Sequence, residues 1–222
     1  MVGLGPRSVK YRAEPPTDRV CDGSDKTFTF VHMARIATAR GERRERILAS
    51  AVSLFEENGF HGAGIDDIAA AAGVTGPAIY RHFKNKDAVL VALFDRLAER
   101  LASILETAGA LDGRAGLETL VRLHGRLAFE ERALIVVYIS EERNLPEPER
   151  RRVRRFQRAY VETWADLLRP LRPDLSADQR RTAVHAAIGL LNSTGYRRQV
   201  GLPRAEAEDM LARMALVALL ES

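Results

Sequence analysis

Residues 65–83 read IDDIAAAAGVTGPAIYRHF, and their spacing predicts two short helices joined by a tight turn. Ile65, Ile68, Ala69 and Ala72 recur at helical intervals, so a first helix over about 66–72 carries one apolar stripe. Ala69 is small where a second helix must cross. Gly73 stands where the chain must reverse, and glycine accepts the left-handed backbone that ends a helix. Val74 plugs the corner. Thr75 is placed to cap the second helix, and Gly76-Pro77 fill its first turn, where proline forfeits no needed N–H. Ile79 and Phe83 point back to a core, while Ala78, Tyr80, Arg81 and His82 lie toward the other side.

The flanks extend the pattern. RERILASAVSLFEENGFHGAG leads into this stretch, and KNKDAVL leads out of it. Residues 43 to about 94, a little under a quarter of the chain, together resemble the DNA-binding domain of TetR-family transcriptional regulators. The resemblance rests on the glycine turn, the Tyr80-x-His82-Phe83 exit and Lys86 three residues on. One departure stands out. Where the family usually has Thr or Ser before the position of Ile65, this chain has Gly64, so the hydroxyl that would bond a helix N–H or a phosphate is absent.

Composition sets the outer bounds. The chain has 222 residues, one large or two small domains, with 46% hydrophobic residues to build cores. No apolar run approaches the roughly 18–20 residues that cross a bilayer, and no apolar run with a small-residue cleavage site lies near the N-terminus. The only cysteine is Cys21, which excludes an internal disulfide and fits a reducing cytoplasm. A net charge of +4 suits nucleic acid without requiring it.

The expected fold class is all-α. Residues 1–40, with Pro6, Pro15, Pro16 and scattered charge, read as a disordered basic leader, and Met33 is a possible true start. Residues 41–88 form a three-helix helix-turn-helix domain, with a first helix over about 43–58 ended by Asn58-Gly59. Residues 89–222 form a larger helical domain. A helix from Lys86-Asp87 to about 107 joins the two. Further helices are expected over about 114–129, 133–140, 148–168, from Ser176 (a capping box with Gln179) to 193, and 203–220.

Several constellations carry functional readings. Helix 3 is sized for the DNA major groove, with Thr75, Gly76, Pro77 and Arg81 nearest the bases or adjoining phosphates. Gly76-Pro77-Ala78 offers few hydrogen bonds, so close backbone approach, Arg81 and DNA shape are left to supply specificity. Tyr80 and His82 resemble the family's phosphate-contacting pair. Lys86 at a helix N-terminus is set to hold a phosphate, and Arg43 and Arg44 to reach the flanking backbone. Arg150, Arg151, Arg152, Arg154, Arg155 and Arg158 form a second basic run. Its plain reading is a solvated face balanced by Glu141, Glu142, Glu147 and Glu149, and its sharper reading is an anion site.

The resemblance implies a small-molecule pocket in the C-terminal domain. Leu97, Leu101, His124, Phe129, Tyr138, Phe156, Tyr160 and Trp164 are the candidates to line it, and each would serve equally as core. An acyl or coenzyme A thioester metabolite is the ligand class that such relatives suggest. Helices 8 and 9 carry apolar stripes. Ala183, Ala187, Leu190, Leu191, Met210, Met214 and Val217 are expected to pair two chains as a homodimer, matching a palindromic double-stranded operator. No Cys/His/Asp/Glu spacing suggests a metal, and no cofactor is implied.

An enzyme is the rival class. Ser140-Glu141-Glu142 and His185 are isolated from any nucleophile–base–orienter set, and no glycine-rich phosphate loop is present. A purely architectural DNA protein is a third class, but a C-terminal domain of roughly 130 residues exceeds what a DNA module needs. The reading that results is a cytoplasmic regulator, a repressor released from its operator by a ligand, with an activator or ligand-independent DNA binder as the alternative.

Overall fold

The computed structural model describes residues 26–111, 113–193 and 201–221. The chain separates into two units, Met1–Arg40 and Gly41–Ser222, and the second holds the helix-turn-helix and all the later helices. The first helix, α1, spans Lys26–Gly62, so residues 26–40 are helical where the leader reading had no structure. This stretch contains none of the prolines that mark the leader, and a helix can therefore run through it. Residues 1–25 of the leader, Cys21 among them, lie outside the described residues.

α1 breaks where Asn58-Gly59 was expected to end it. Gly59 has φ 70° and ψ 168°, a conformation open to glycine, and the chain resumes a short helical turn to Gly62. Ile47, Leu48, Ala51 and Phe55 face inward from α1, and Phe60 follows them after the break. α2 covers Ile65–Ala71 and buries Ile68 and Ala69. The turn after it closes through Gly73, at φ 65°, with Val74 N–H donating to the Ala69 carbonyl at 2.9 Å. The α3 helix proper is brief, Gly76–Ile79. The chain leaves it in tight turns that run to Phe83.

α4 (Lys86–Gly109) begins on an Asn85 cap whose side chain accepts from Ala88 N–H at 2.9 Å. It runs into the larger domain, burying Leu90, Leu93, Phe94, Leu97, Leu101 and Ile104 in one stripe. α5 (Gly113–Glu130) is the hub: it packs on α4, α6 (Arg132–Glu141), α7 (Glu147–Leu168), α8 (Ala177–Asn192) and α9 (Arg204–Leu220). Its inner face is Leu117, Leu120, Val121, His124, Leu127 and Ala128, at helical spacing. The capping box at Ser176 is present, with Gln179 N–H on the Ser176 hydroxyl and Ser176 N–H on the Gln179 side chain. The described residues are helical or turn throughout, with no strand among them.

Candidate functional site

The helix-turn-helix sorts its side chains into two sets. Ile79 and Phe83 are buried, anchoring α3 and its exit. Thr75, Pro77, Tyr80 and Arg81 are exposed on the opposite side, and Tyr80 leaves 53% of its surface open. A tyrosine this exposed adds little to a core, while its hydroxyl and ring stand free to meet a partner. Gly76, Ala78 and His82 are half-buried.

One detail differs from expectation. Thr75 occupies the N-cap, but its hydroxyl makes no capping bond. The Thr75 carbonyl instead accepts from Ala78 and Ile79 N–H at 2.9 and 3.1 Å. At α2 the cap is half complete: Gly64 N–H donates to Asp67 Oδ2 at 2.8 Å, and glycine has no hydroxyl to return the bond.

Lys86 departs furthest from its expected role. Its ammonium donates to the carbonyls of Phe60 and Ala63, at 2.7 and 2.9 Å, and lies 4.4 Å from the Phe60 ring centre. Rather than standing open to a phosphate, the ammonium locks the end of α1 to the start of α4.

The flanking cations are partly arranged. Arg43, Arg44 and Arg46 are exposed on α1. The Arg44 guanidinium sits 5.2 Å from the Phe83 ring centre and 3.8 Å from Glu45, so α1 delivers a cation beside the exit of α3. Arg46 and Lys84 are further exposed cations on this domain that the motif reading passed over. Lys84 lies between His82 and Lys86 in the quoted motif, and charge alone was the signal that marked it.

In the C-terminal domain the pocket candidates are mostly packed. Leu97, Leu101, His124, Tyr160 and Trp164 are buried, whereas Phe129, Tyr138 and Phe156 are half-buried. Phe156, Tyr160 and Trp164 line up along α7, with the His124 ring edge-on to Trp164 at 5.7 Å. His124 Nδ1 meets the Tyr160 hydroxyl at 2.9 Å, and its Nε2 meets Asn192 Oδ1 at 3.1 Å. Burial pulls the imidazole down to about 4, against the opposing pull of the Asn192 bond, so the ring is neutral at pH 7. Burial likewise raises the Tyr160 phenol, and it pushes Tyr138 up to about 12. Tyr138 stacks on Phe94 at 4.7 Å.

The arginine run on α7 is a solvated, ion-paired face. Arg150 and Arg151 bond Glu147, Arg152 bonds Glu149 and Asp95, and Arg154 bonds Glu142. Glu141 does not take part. It is buried, accepting from Ser140 and Asn144.

The expected dimer residues divide. Ala187 and Leu191 are fully buried in the chain's own core and leave the interface set, and Ala183 and Leu190 are half-buried. On α9, Ala207, Ala212, Ala215 and Leu219 face inward, while Met210, Met214 and Val217 are 40%, 47% and 52% exposed. α8, which packs on α9, exposes His185, Ala186 and Gly189, which periodicity had not marked.

Comparison with known proteins decides the family. Residues 47–93 match the profile described as bacterial regulatory proteins, tetR family, and residues 110–219 match a tetracyclin repressor-like C-terminal domain. A transcriptional repressor of Mycolicibacterium smegmatis, KstR2, is 31% identical over 150 residues, 61% of this chain and 71% of its own length. The chain belongs to the TetR family. The transcriptional activator FasR of M. smegmatis is 41% identical over 64 residues, 29% of either chain. The match to KstR2 of Rhodococcus jostii spans 56% of that protein. Among solved structures, a TetR-family regulator from Bordetella parapertussis aligns with TM-score 0.73 at 23% identity, covering 81% of this chain and 94% of its own. AibR, solved with isovaleryl coenzyme A and operator DNA, aligns with TM-score 0.68 at 17% identity, covering 78% and 97%. These relatives are regulators, and the enzyme class falls away. Among the described residues no helix is long and apolar enough to cross a membrane.

Proposed function

We propose that this TetR-family chain is a ligand-responsive, homodimeric DNA-binding regulator, a cytoplasmic repressor that leaves a palindromic operator when a small molecule binds. The observation that carries the reading is the two-sided helix-turn-helix. Ile79 and Phe83 are buried while Thr75, Pro77, Tyr80 and Arg81 stand exposed. α3 enters the major groove with Arg81 at base edges and Thr75, Gly76 and Pro77 in close approach. Tyr80 and His82, with Arg43, Arg44 and the N-terminus of α4 around Lys86, take the phosphates.

A palindrome needs two recognition helices roughly 34–36 Å apart, hence two chains. Met210, Met214 and Val217 are the exposed apolar residues that a second copy would cover, with Ala183 and Leu190 at the margin. α4 is the lever between the domains. A ligand shifts DNA affinity only by its preference for one of the two arrangements. The ligand class favoured by the relatives is an acyl or coenzyme A thioester metabolite, since AibR was solved with isovaleryl coenzyme A. The aromatic set on α7 with Leu97, Leu101, His124, Phe129 and Tyr138 is its proposed lining. An activator is the second reading, favoured by the match to FasR.

The interface is tested without disturbing the fold. A Cβ added at Gly189 meets nothing within 4 Å, and the position is exposed. Gly189→Trp and Met214→Asp should therefore keep the monomer's melting temperature yet give a monomeric mass by light scattering and lose operator binding. A double variant that stays dimeric and holds its operator would remove this face from the proposal.

A further inference from the structure

A groove of about 300 Å³ lies between α4 and α5, apart from the residues assigned to the inner pocket. Its floor is apolar: Ile104 and Leu127 are buried and Leu123 is half-buried. Arg126 stands at its rim, exposed. The volume sits at the lower end of small-molecule sites, about 300–1,000 Å³.

Most of the described arginines hold a carboxylate, and Arg126 does not. Its neighbours one turn away on α5 are Arg122 and Glu130. Arg122 repels it and is itself paired with Asp209 at 3.2 Å. Glu130 is already taken, with one oxygen on Arg100 at 3.2 Å and the other on Arg204 at 3.4 Å. Arg126 makes no ion pair or hydrogen bond among the described residues. An unpaired guanidinium beside an apolar floor matches a molecule with a carboxylate at one end and a hydrocarbon tail at the other. The planar fork meets a carboxylate through two N–H groups, and the tail covers Leu123 and Leu127.

The groove is also wired to the DNA-binding domain. Arg100, on its rim, holds Glu131 at 3.5 Å. Arg96 holds the same Glu131 oxygen at 3.2 Å and reaches Glu45 of α1 at 3.0 Å. A second carboxylate at the rim competes with Glu130 and Glu131 for Arg100, and the change passes along this chain to α1.

We infer that the α4/α5 groove binds a monocarboxylate with an apolar tail, seated on Arg126, and that Arg100, Glu131, Arg96 and Glu45 relay its presence to α1. The relay rests on the DNA-binding reading, whereas the site itself does not. Octanoate is the probe, titrated calorimetrically into the full-length protein without DNA, with octanol and acetate as partners. Octanoate should bind at least ten-fold more tightly than either, and Arg126→Ala, an exposed change that spares the fold, should remove that advantage. Equal affinity for octanol, no binding, or an unchanged affinity in Arg126→Ala would overturn the site. In a separate fluorescence-anisotropy measurement on operator DNA, octanoate should change the affinity of wild type but not of Glu45→Gln, which still binds octanoate. An equal response in the two proteins would overturn the relay alone. A protein that binds octanoate yet finds no operator would keep the site and sink the DNA reading.

Discussion

The helix-turn-helix and the C-terminal bundle contain the same kinds of residue, yet they use them in opposite ways. In the first, the aromatic and basic side chains of the motif stand outward: Tyr80 and Arg81 are exposed over buried Ile79 and Phe83. In the second, the aromatic stripe on α7 turns inward, and Tyr160 and Trp164 close on His124 with little surface left. A residue with work to do on a partner must forgo burial, so the first region gives up stability for contact. The second keeps the stability. Substitutions should therefore separate cleanly, with large stability losses in the bundle and large DNA losses with none in stability on α3.

The largest effect belongs to Trp164→Ala. It removes a fully buried indole and should cost about 3–5 kcal/mol in urea unfolding. A loss under 1 kcal/mol would show that the α7 stripe lines open space.

Next comes pH. His124 is held at about 4 in the fold against 6.5 when unfolded, so the unfolded chain binds the extra proton between those values. Its contribution is complete above pH 6.5 and is lost as pH falls toward 4, on the order of 3 kcal/mol in all. Unfolding curves of wild type and His124→Gln across this window should diverge in slope by about one proton. Parallel curves would mean that the ring is solvated.

Lys86 and Tyr80 sharpen the contrast within the smaller domain. Lys86→Met strips two charged hydrogen bonds from the end of α1 and should cost about 2 kcal/mol of stability. Tyr80→Ala should leave stability within about 0.5 kcal/mol while weakening DNA binding about equally on all sequences, with the salt slope unchanged because a phenol carries no charge. If the two exchange these signatures, Lys86 holds a phosphate and Tyr80 holds the fold. The smallest change is Gly64→Ser: its hydroxyl adds a cap at α2, but its Cβ would meet Asp67 Oδ2 at 2.9 Å, so thermal melting should shift by no more than a few tenths of a kcal/mol.

How far the sequence could be read follows the same division. The helix-turn-helix is a local structure. Gly73, Val74 and Thr75 dictate the turn whatever surrounds them, and the sides of α2 and α3 followed from spacing alone. The bonds of Lys86 were out of reach because its partners, the Phe60 and Ala63 carbonyls, lie more than twenty residues away and are invisible to a motif. From Met210 on, α9 is apolar apart from Arg213, so periodicity could not say that Ala212 and Ala215 face in while Met210 and Met214 face out. Ala187 and Leu191 were set at the interface because an apolar stripe on α8 does not say whether the chain's own core or a second copy covers it. The His124–Tyr160–Asn192 contacts join three helices, and their partners are set by packing that no single helix encodes.

The central claim is that the exposed face of α3 reads DNA in a twofold arrangement. The most direct test is selection of binding sites from random duplex DNA by the wild-type protein and by Arg81→Ala. The account predicts a palindrome for wild type, and for the variant the same palindrome with discrimination relaxed by about 1–3 kcal/mol at one position in each half-site. Enrichment of no palindrome, or an identical motif from both proteins, would contradict it.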